Sequence, residues 1–234
     1  MATRFTGPVK NRELSRGTRE WFSNLPVGVE PDVIQYMNDF LVAGDYSASD
    51  WVVTETDSSA TQAIAADVLG GALVLTNSTT DDHVVQLQSA EEWFKLTLGK
   101  QAWFECRVKC DKATQSEFFF GFATTDTDIW TGTTDSVGFR KVDATATLTS
   151  LTEDNTSETT NDVATVSADT YMVLGFHYDG SGQVKFYVDR SLAATHTANI
   201  EATNKLALTL SLKNGEGTST TAITIDYIYV ALER

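Results

Sequence analysis

The run at residues 171–197, YMVLGFHYDGSGQVKFYVDRSLAATHT, constrains the fold of this chain more than any other stretch. Asp179-Gly180-Ser181-Gly182 divides two strand-like segments, and a third follows Asp189-Arg190. Asp and Gly tolerate the positive φ of tight hairpin turns, while the β-branched and aromatic residues on either side suit a pleated surface. The sequence therefore predicts consecutive antiparallel strands. In the second, Val184, Phe186 and Val188 alternate with Gln183, Lys185, Tyr187 and Asp189, the mark of one buried and one wet face. In the first, Met172, Leu174, Phe176 and Tyr178 alternate with Tyr171, Val173 and His177, so both faces carry apolar atoms. Such a strand belongs near the middle of a two-layer structure.

Much of the remaining chain has the same character. Residues 36–40 and 50–56 read as a first long strand or strand pair, and 72–76 and 83–88 follow, each bounded by Gly, Asn, Ser or Asp. Short strands with turn residues between them are the pattern of a sandwich. Residues 102–110 give the clearest long strand: Ala102, Phe104, Cys106, Val108 and Cys110 point one way, and Trp103, Glu105, Arg107 and Lys109 the other. Its expected partner is 117–123, EFFFGFA. Residues 136–166 contain Val137-Gly138-Phe139-Arg140-Lys141-Val142 and then Thr-rich, weakly apolar strands that suit an edge or a solvated face. Leu206, Leu208, Leu210 and Leu212 then alternate with Ala207, Thr209, Ser211 and Lys213, and 223–230 closes the fold.

The chain has 234 residues, enough to bury roughly 70% of the surface its unfolded form exposes, so the expected fold needs neither disulfide nor metal. Cys106 and Cys110, four apart in one strand, share a face but stand roughly 13 Å apart, beyond disulfide reach. They are expected as buried thiols. The start, ATRFTGPVKNREL, is polar and basic, and no 18-residue apolar run occurs, so synthesis in a cytosol without a cleaved signal or membrane span is expected.

Net charge is −15, unevenly spread. Residues 1–20 hold Arg4, Lys10, Arg12, Arg16 and Arg19 against Glu13 and Glu20, a net of +3, leaving −18 for the rest. A basic arm thus precedes an acidic body, and the acidity speaks against nucleic acid as the body's partner. Residues 1–35 show neither helical nor strand period and hold all three prolines. They include one apolar knot, Trp21, Phe22, Leu25 and Val27, able to anchor on its own domain or on a neighbour. Thirty extended residues reach roughly 100 Å, against a radius of gyration of roughly 16 Å for the body. The expected division is an extended arm, 1–35, and a β-sandwich, 36–234.

The order DF (39–40), DWVVTET (50–56), ATQSEFFFGF (113–122), YMVLGFHYDGSGQVKFYVD (171–189) and TIDYIYVALER (224–234) resembles a family of bacteriophage virion proteins. The likeness covers residues 36–234 and extends to the MATRF start. Those proteins resemble concanavalin A-like jelly rolls and coat capsids as decoration, or cement, proteins. The hairpin alone is shared with laminin-G-like and lectin-like sandwiches, where Gly commonly follows the VD; here Arg190 stands instead.

The resemblance implies an all-β jelly-roll sandwich that stabilises a capsid across neighbouring major capsid subunits. It implies a virion location on the capsid exterior, assembly in a host cytoplasm, a homo-oligomeric arrangement there, and no cofactor, nucleic acid or membrane partner. Arg4, Phe5, Lys10, Arg12, Arg16, Arg19, Trp21 and Phe22 are the expected capsid-binding arm residues. The alternative is a carbohydrate-binding or host-receptor-binding module of a virion, with Trp130 as glycan or interface contact.

Catalysis is not expected from the sequence. Glycoside hydrolases need two carboxyls about 5 Å or roughly 6.5–9.5 Å apart, in concanavalin-like enzymes commonly as Glu-x-Asp-x-x-Glu on one strand, and no such spacing occurs. Glu153-Asp154 read as part of a polar loop. His83, His177 and His196 lack a nucleophile context, although His177 and His196, in adjacent strands, are candidate cross-strand neighbours. No metal is expected; the one loop with hard oxygens, at Asp126, Asp128 and Asp135, lacks EF-hand spacing.

Overall fold

A computed structural model describes residues 33–47, 49–65 and 68–234. Every expected arm residue, from Arg4 to Phe22, lies outside the described residues. The strands, in chain order, are β1 (Val33–Asn38), β2 (Trp51–Glu55), β3 (Thr61–Ile64), β4 (Leu73–Thr76), β5 (Val84–Ser89), β6 (Ala102–Cys110), β7 (Ser116–Ala123) and β8 (Ser136–Lys141). They continue with β9 (Thr147–Asp154), β10 (Ser157–Thr165), β11 (Met172–Tyr178), β12 (Val184–Val188), β13 (Ser191–His196), β14 (Ala207–Asn214) and β15 (Ala222–Glu233). The only helix among the described residues is a 3-10 turn, Ala43–Tyr46.

Two antiparallel sheets form a jelly-roll sandwich. One has the order β13-β12-β11-β6-β15-β4-β3, with β1 also against β15; the other runs β10-β9-β8-β7-β14-β5-β2. The hairpin that anchors the sequence reading is β11–β12. Its turn is held by the Asp179 carboxylate, which accepts from the backbone N–H of Ser181 (2.7 Å) and Gln183 (3.1 Å). At the next turn Asp189 and Arg190 both take positive φ, 49° and 64°.

Between the sheets lies an aromatic core. Phe94 stacks on Phe122 at 3.6 Å and Phe104 on Phe176 at 5.2 Å, while Phe139 meets Phe186 edge-on. Burying each such ring stabilises the fold by about 1.5–3 kcal/mol. Cys106 and Cys110 point into this core, unbridged. His196 also turns inward from β13, held by the Ser150 and Thr152 hydroxyls at 2.9 Å each.

Two expected pairings fail. β6 and β7 are consecutive but lie in different sheets: β6 pairs with β11 and β15, β7 with β8 and β14. Likewise β1 and β2 belong to opposite sheets rather than to one strand pair. Alternation reports which face a residue takes and leaves the partner strand open; here the connections cross between layers instead of turning back within one. His177 and His196 are not neighbours either, since β12 stands between their strands and the two side chains leave opposite faces.

Candidate functional site

Phe118, Phe120 and Phe122 of β7 enter the core, so Phe119, Gly121 and Ala123 face outward. Gly121 lies opposite Gly138 on β8. A Cβ on Gly121 would come within 2.2 Å of the Val137 carbonyl, and one on Gly138 within 2.3 Å of the Phe120 carbonyl. Neither position admits a side chain, and the sheet floor stays flat there. Residues 124–135 fold back over it.

Two glutamines of β5 pin that segment. Gln86 donates from Nε2 to the Asp126 carbonyl (2.7 Å) and accepts from the Ile129 N–H (3.4 Å). Gln88 donates to the Thr124 carbonyl (3.2 Å) and accepts from the Asp126 N–H (3.0 Å). Trp130 Nε1 donates to Ser211 Oγ on β14 at 3.0 Å, and Phe119, Ala123, Ile129 and Leu151 close a small apolar cluster beneath the indole. Trp130 is therefore half-buried and braced.

Beside Trp130 opens a hollow of about 100 Å³ lined by Phe119, Arg140, Leu151, Glu153 and Glu158. Glu153 and Glu158 face each other across the β9–β10 ladder. Their environments differ. Glu153 is buried, accepts from Ser136 Oγ at 2.9 Å, and is raised above the usual carboxylate range by that burial. Glu158 is lowered, because the Arg140 guanidinium grips it at 2.6 and 2.7 Å. Two carboxyls whose pKa values are displaced in opposite directions are chemically suited to an acid and a base role. The sequence reading placed Glu153-Asp154 in a loop; they end β9. A pair built across two strands also escapes a search for spacing along one.

Asp126 and Asp128 are engaged by their own turn, accepting from the backbone N–H of Asp128 (2.8 Å) and Trp130 (3.0 Å). Asp135 instead joins Asp154 and Glu201, with one oxygen of each within 4.8 Å of the others. Such hard oxygens are of the type that hold a divalent cation. Asp154 is raised by desolvation and then by its two acidic neighbours. Asp154 and Glu201 have no sequence signal as ligands, since they come from the end of β9 and the β13–β14 connection.

No protein-family model matches the sequence, and no curated protein matches it either. Solved structures do share the architecture. A Bacillus licheniformis β-glucanase superposes with a TM-score of 0.61 at 16% identity, over 84% of this chain and 97% of that one. A Trichoderma reesei endo-β-1,4-glucuronan lyase gives 0.55 at 12%, over 83% and 94%. The Emp46p carbohydrate recognition domain gives 0.57 at 12%, over 82% and 93%. These likenesses establish the concanavalin A-like jelly roll. They also correct the expectation that the chain is not an enzyme: the structures sharing its sandwich are mostly enzymes, and a missing linear motif is no ground for setting catalysis aside.

Proposed function

We propose that this chain is a structural component of a bacteriophage virion, decorating and stabilising the capsid by lying across neighbouring major capsid subunits. The observation that carries the reading is an exposed apolar patch at one end of the sandwich. Met37, Leu41 and Val42 keep 59%, 61% and 59% of their surface exposed, and Val68 and Leu69 are exposed too. Gly71, at φ 78°, lies against the Asp39 and Phe40 carbonyls, so the turn carrying Val68 and Leu69 meets the chain just ahead of Leu41. Clustered exposed apolar side chains mark surfaces that another protein covers. The resemblance of residues 36–234 to virion proteins and the basic character of residues 1–20 support the same reading. In it, copies pack as a homo-oligomer on the capsid exterior, assembled in the host cytoplasm.

The test is co-sedimentation of the full chain with undecorated capsids. Leu41→Lys together with Leu69→Lys is expected to weaken binding more than tenfold while leaving the melting temperature unchanged, because both residues are solvent-exposed. Undiminished binding would remove the patch from the interface.

A second reading is a carbohydrate-binding virion module. It is favoured by Trp130 beside the forked Arg140–Glu158 pair, an aromatic face next to bidentate hydrogen-bonding groups. Glycan-array binding lost on Trp130→Ala, with capsid binding intact, would select it.

A further inference from the structure

A second hollow, of about 230 Å³, opens where β1 of one sheet comes opposite β2 of the other. Tyr36 and Trp51 wall it from those two strands, and Trp93 from the connection after β5. The Tyr36 ring meets Trp51 at 6.5 Å and 66°, and Trp93 at 6.2 Å and 56°, so neither pair stacks. The rings are tilted walls around a space, not a flat platform. Each is held from behind: Trp51 Nε1 donates to the Asp45 carbonyl at 3.2 Å, Asn38 Nδ2 to the Tyr36 hydroxyl at 3.2 Å, and Trp93 stands edge-on to Phe122 at 6.0 Å. Asp50 and Glu91, both exposed, complete the lining. The Ala90 N–H donates to the Asp50 carbonyl and Ser89 Oγ to the Glu91 carbonyl, at 2.9 Å each, which keeps the two acidic residues together. Among the described residues that line the hollow there is no Lys, Arg or His. Burial first, and then the charges of Asp50 and Asp45, raise the Tyr36 phenol, as expected of a site with a negative field.

We propose that this hollow binds a small quaternary ammonium compound, one that carries a trimethylammonium head. Aromatic rings attract a cation through the negative faces of their quadrupoles, and the attraction strengthens as water is excluded. The two carboxylates add Coulomb attraction, and the chain's net charge of −15 raises the local concentration of cations. The walls select a methylated head over a bare ammonium. An NH3 group would give up strong hydrogen bonds to water and meet ring carbons that cannot replace them, whereas a trimethylated nitrogen spreads its charge over methyl groups that pack on the rings. A sugar fits the same lining poorly, because its hydroxyls need free donors as well as acceptors. Here Trp51 Nε1 is spent on Asp45, and Ser89 Oγ, besides donating to Glu91, accepts from the Leu208 N–H at 3.0 Å. The volume lies below the roughly 300–1,000 Å³ of pockets for drug-sized ligands, which matches a compound little larger than its head group. The site is independent of what the protein decorates.

Titration of the full chain with choline chloride, followed by NMR, tests the site. The choline methyl protons are expected to shift upfield under the ring currents, saturating with a Kd on the order of 1 mM, and to give cross-peaks to the Tyr36 and Trp93 rings. The neutral isostere 3,3-dimethylbutan-1-ol, of the same shape without the charge, should bind roughly tenfold more weakly or worse. Asp50→Asn with Glu91→Gln should weaken choline about fivefold and leave the melting temperature unchanged, because both residues are exposed. Trp93→Ala should abolish binding, and Trp130→Ala should not affect it. Equal binding of the neutral alcohol would overturn the proposal, since the hollow would then be merely apolar. Displacement of choline by glucose, cross-peaks at Trp130 instead of Trp93, or a shift that never saturates would overturn it as well.

Discussion

The two outer faces of the sandwich each carry a small apolar cluster and differ in what holds it. On the β7 face the cover is an internal loop, 124–135, fixed by side-chain amides that pair with its backbone. Gln86 and Gln88 specify one placement, because each glutamine offers a donor and an acceptor at fixed spacing. On the β6 face no described loop performs that task, yet the surface is buried to the same degree: Trp103 is 0% exposed there, and Phe119 3% beneath the loop of the β7 face. The contrast separates covering by hydrogen-bonded specification from covering by apolar burial.

The largest expected effect follows from that contrast. Trp103→Ala should destabilise the protein by about 3–5 kcal/mol, as for a core aromatic, against about 1–2 kcal/mol for Trp130→Ala. Urea denaturation of both variants measures the difference, and equal losses would break the comparison.

Acid comes next. His177, beneath the β6 face, and His196, between the sheets, are each lowered to about 4, chiefly by burial. An ordinary imidazole titrates near 6.5, so between pH 6.5 and 4 the unfolded chain binds more protons than the folded one. Stability is therefore lost as pH falls through that window, on the order of 2–3 kcal/mol per histidine. Glu117 and Glu153, raised mainly by burial, act in the opposite direction. The informative measurement is thus the difference between the native chain and His196→Gln, whose acid slope should be shallower.

Gln86→Leu should cost about 1–2 kcal/mol, because it leaves the Asp126 carbonyl and the Ile129 N–H unpaired. Hydrogen exchange should accelerate in residues 124–135 and stay unchanged in β6 and β15. Smallest is Arg140→Gln. Its pair with Glu158 is partly solvent-exposed, at 27% and 36% of the side chains, and the loss should be within about 1 kcal/mol.

Much of the fold was legible because period-two alternation is a direct image of the pleat. Val184, Phe186, Leu208 and Leu210 went inward as their spacing demanded. The pairing of β6 was not legible, since an alternating run pairs equally well with any other. The site was less legible still. Glu153 and Glu158 meet through a ladder whose register involves no sequence motif, and Asp135, Asp154 and Glu201 converge from separate connections. Alternation puts Trp103 on the face opposite Phe104, but that face is not wet there, and only the three-dimensional arrangement shows Trp103 to be buried.

The ladder ends have a consequence for crowding. In the described sheets the terminal strands β2 and β3 are five and four residues long. Of the remaining edges, β1 is six residues long, and β10 and β13 each show a register shift, between Asp162 and Ala164 and opposite Phe186 and Tyr187. Short or bulged edges offer a passing strand few consecutive backbone groups to pair with, and Glu158 and Asp162 add charge along β10. Copies held at high local density can then touch through side chains without zipping into a continuous intermolecular sheet. Such a molecule can be packed closely and still come apart as folded units, the property that separates an ordered array from an amyloid-like aggregate.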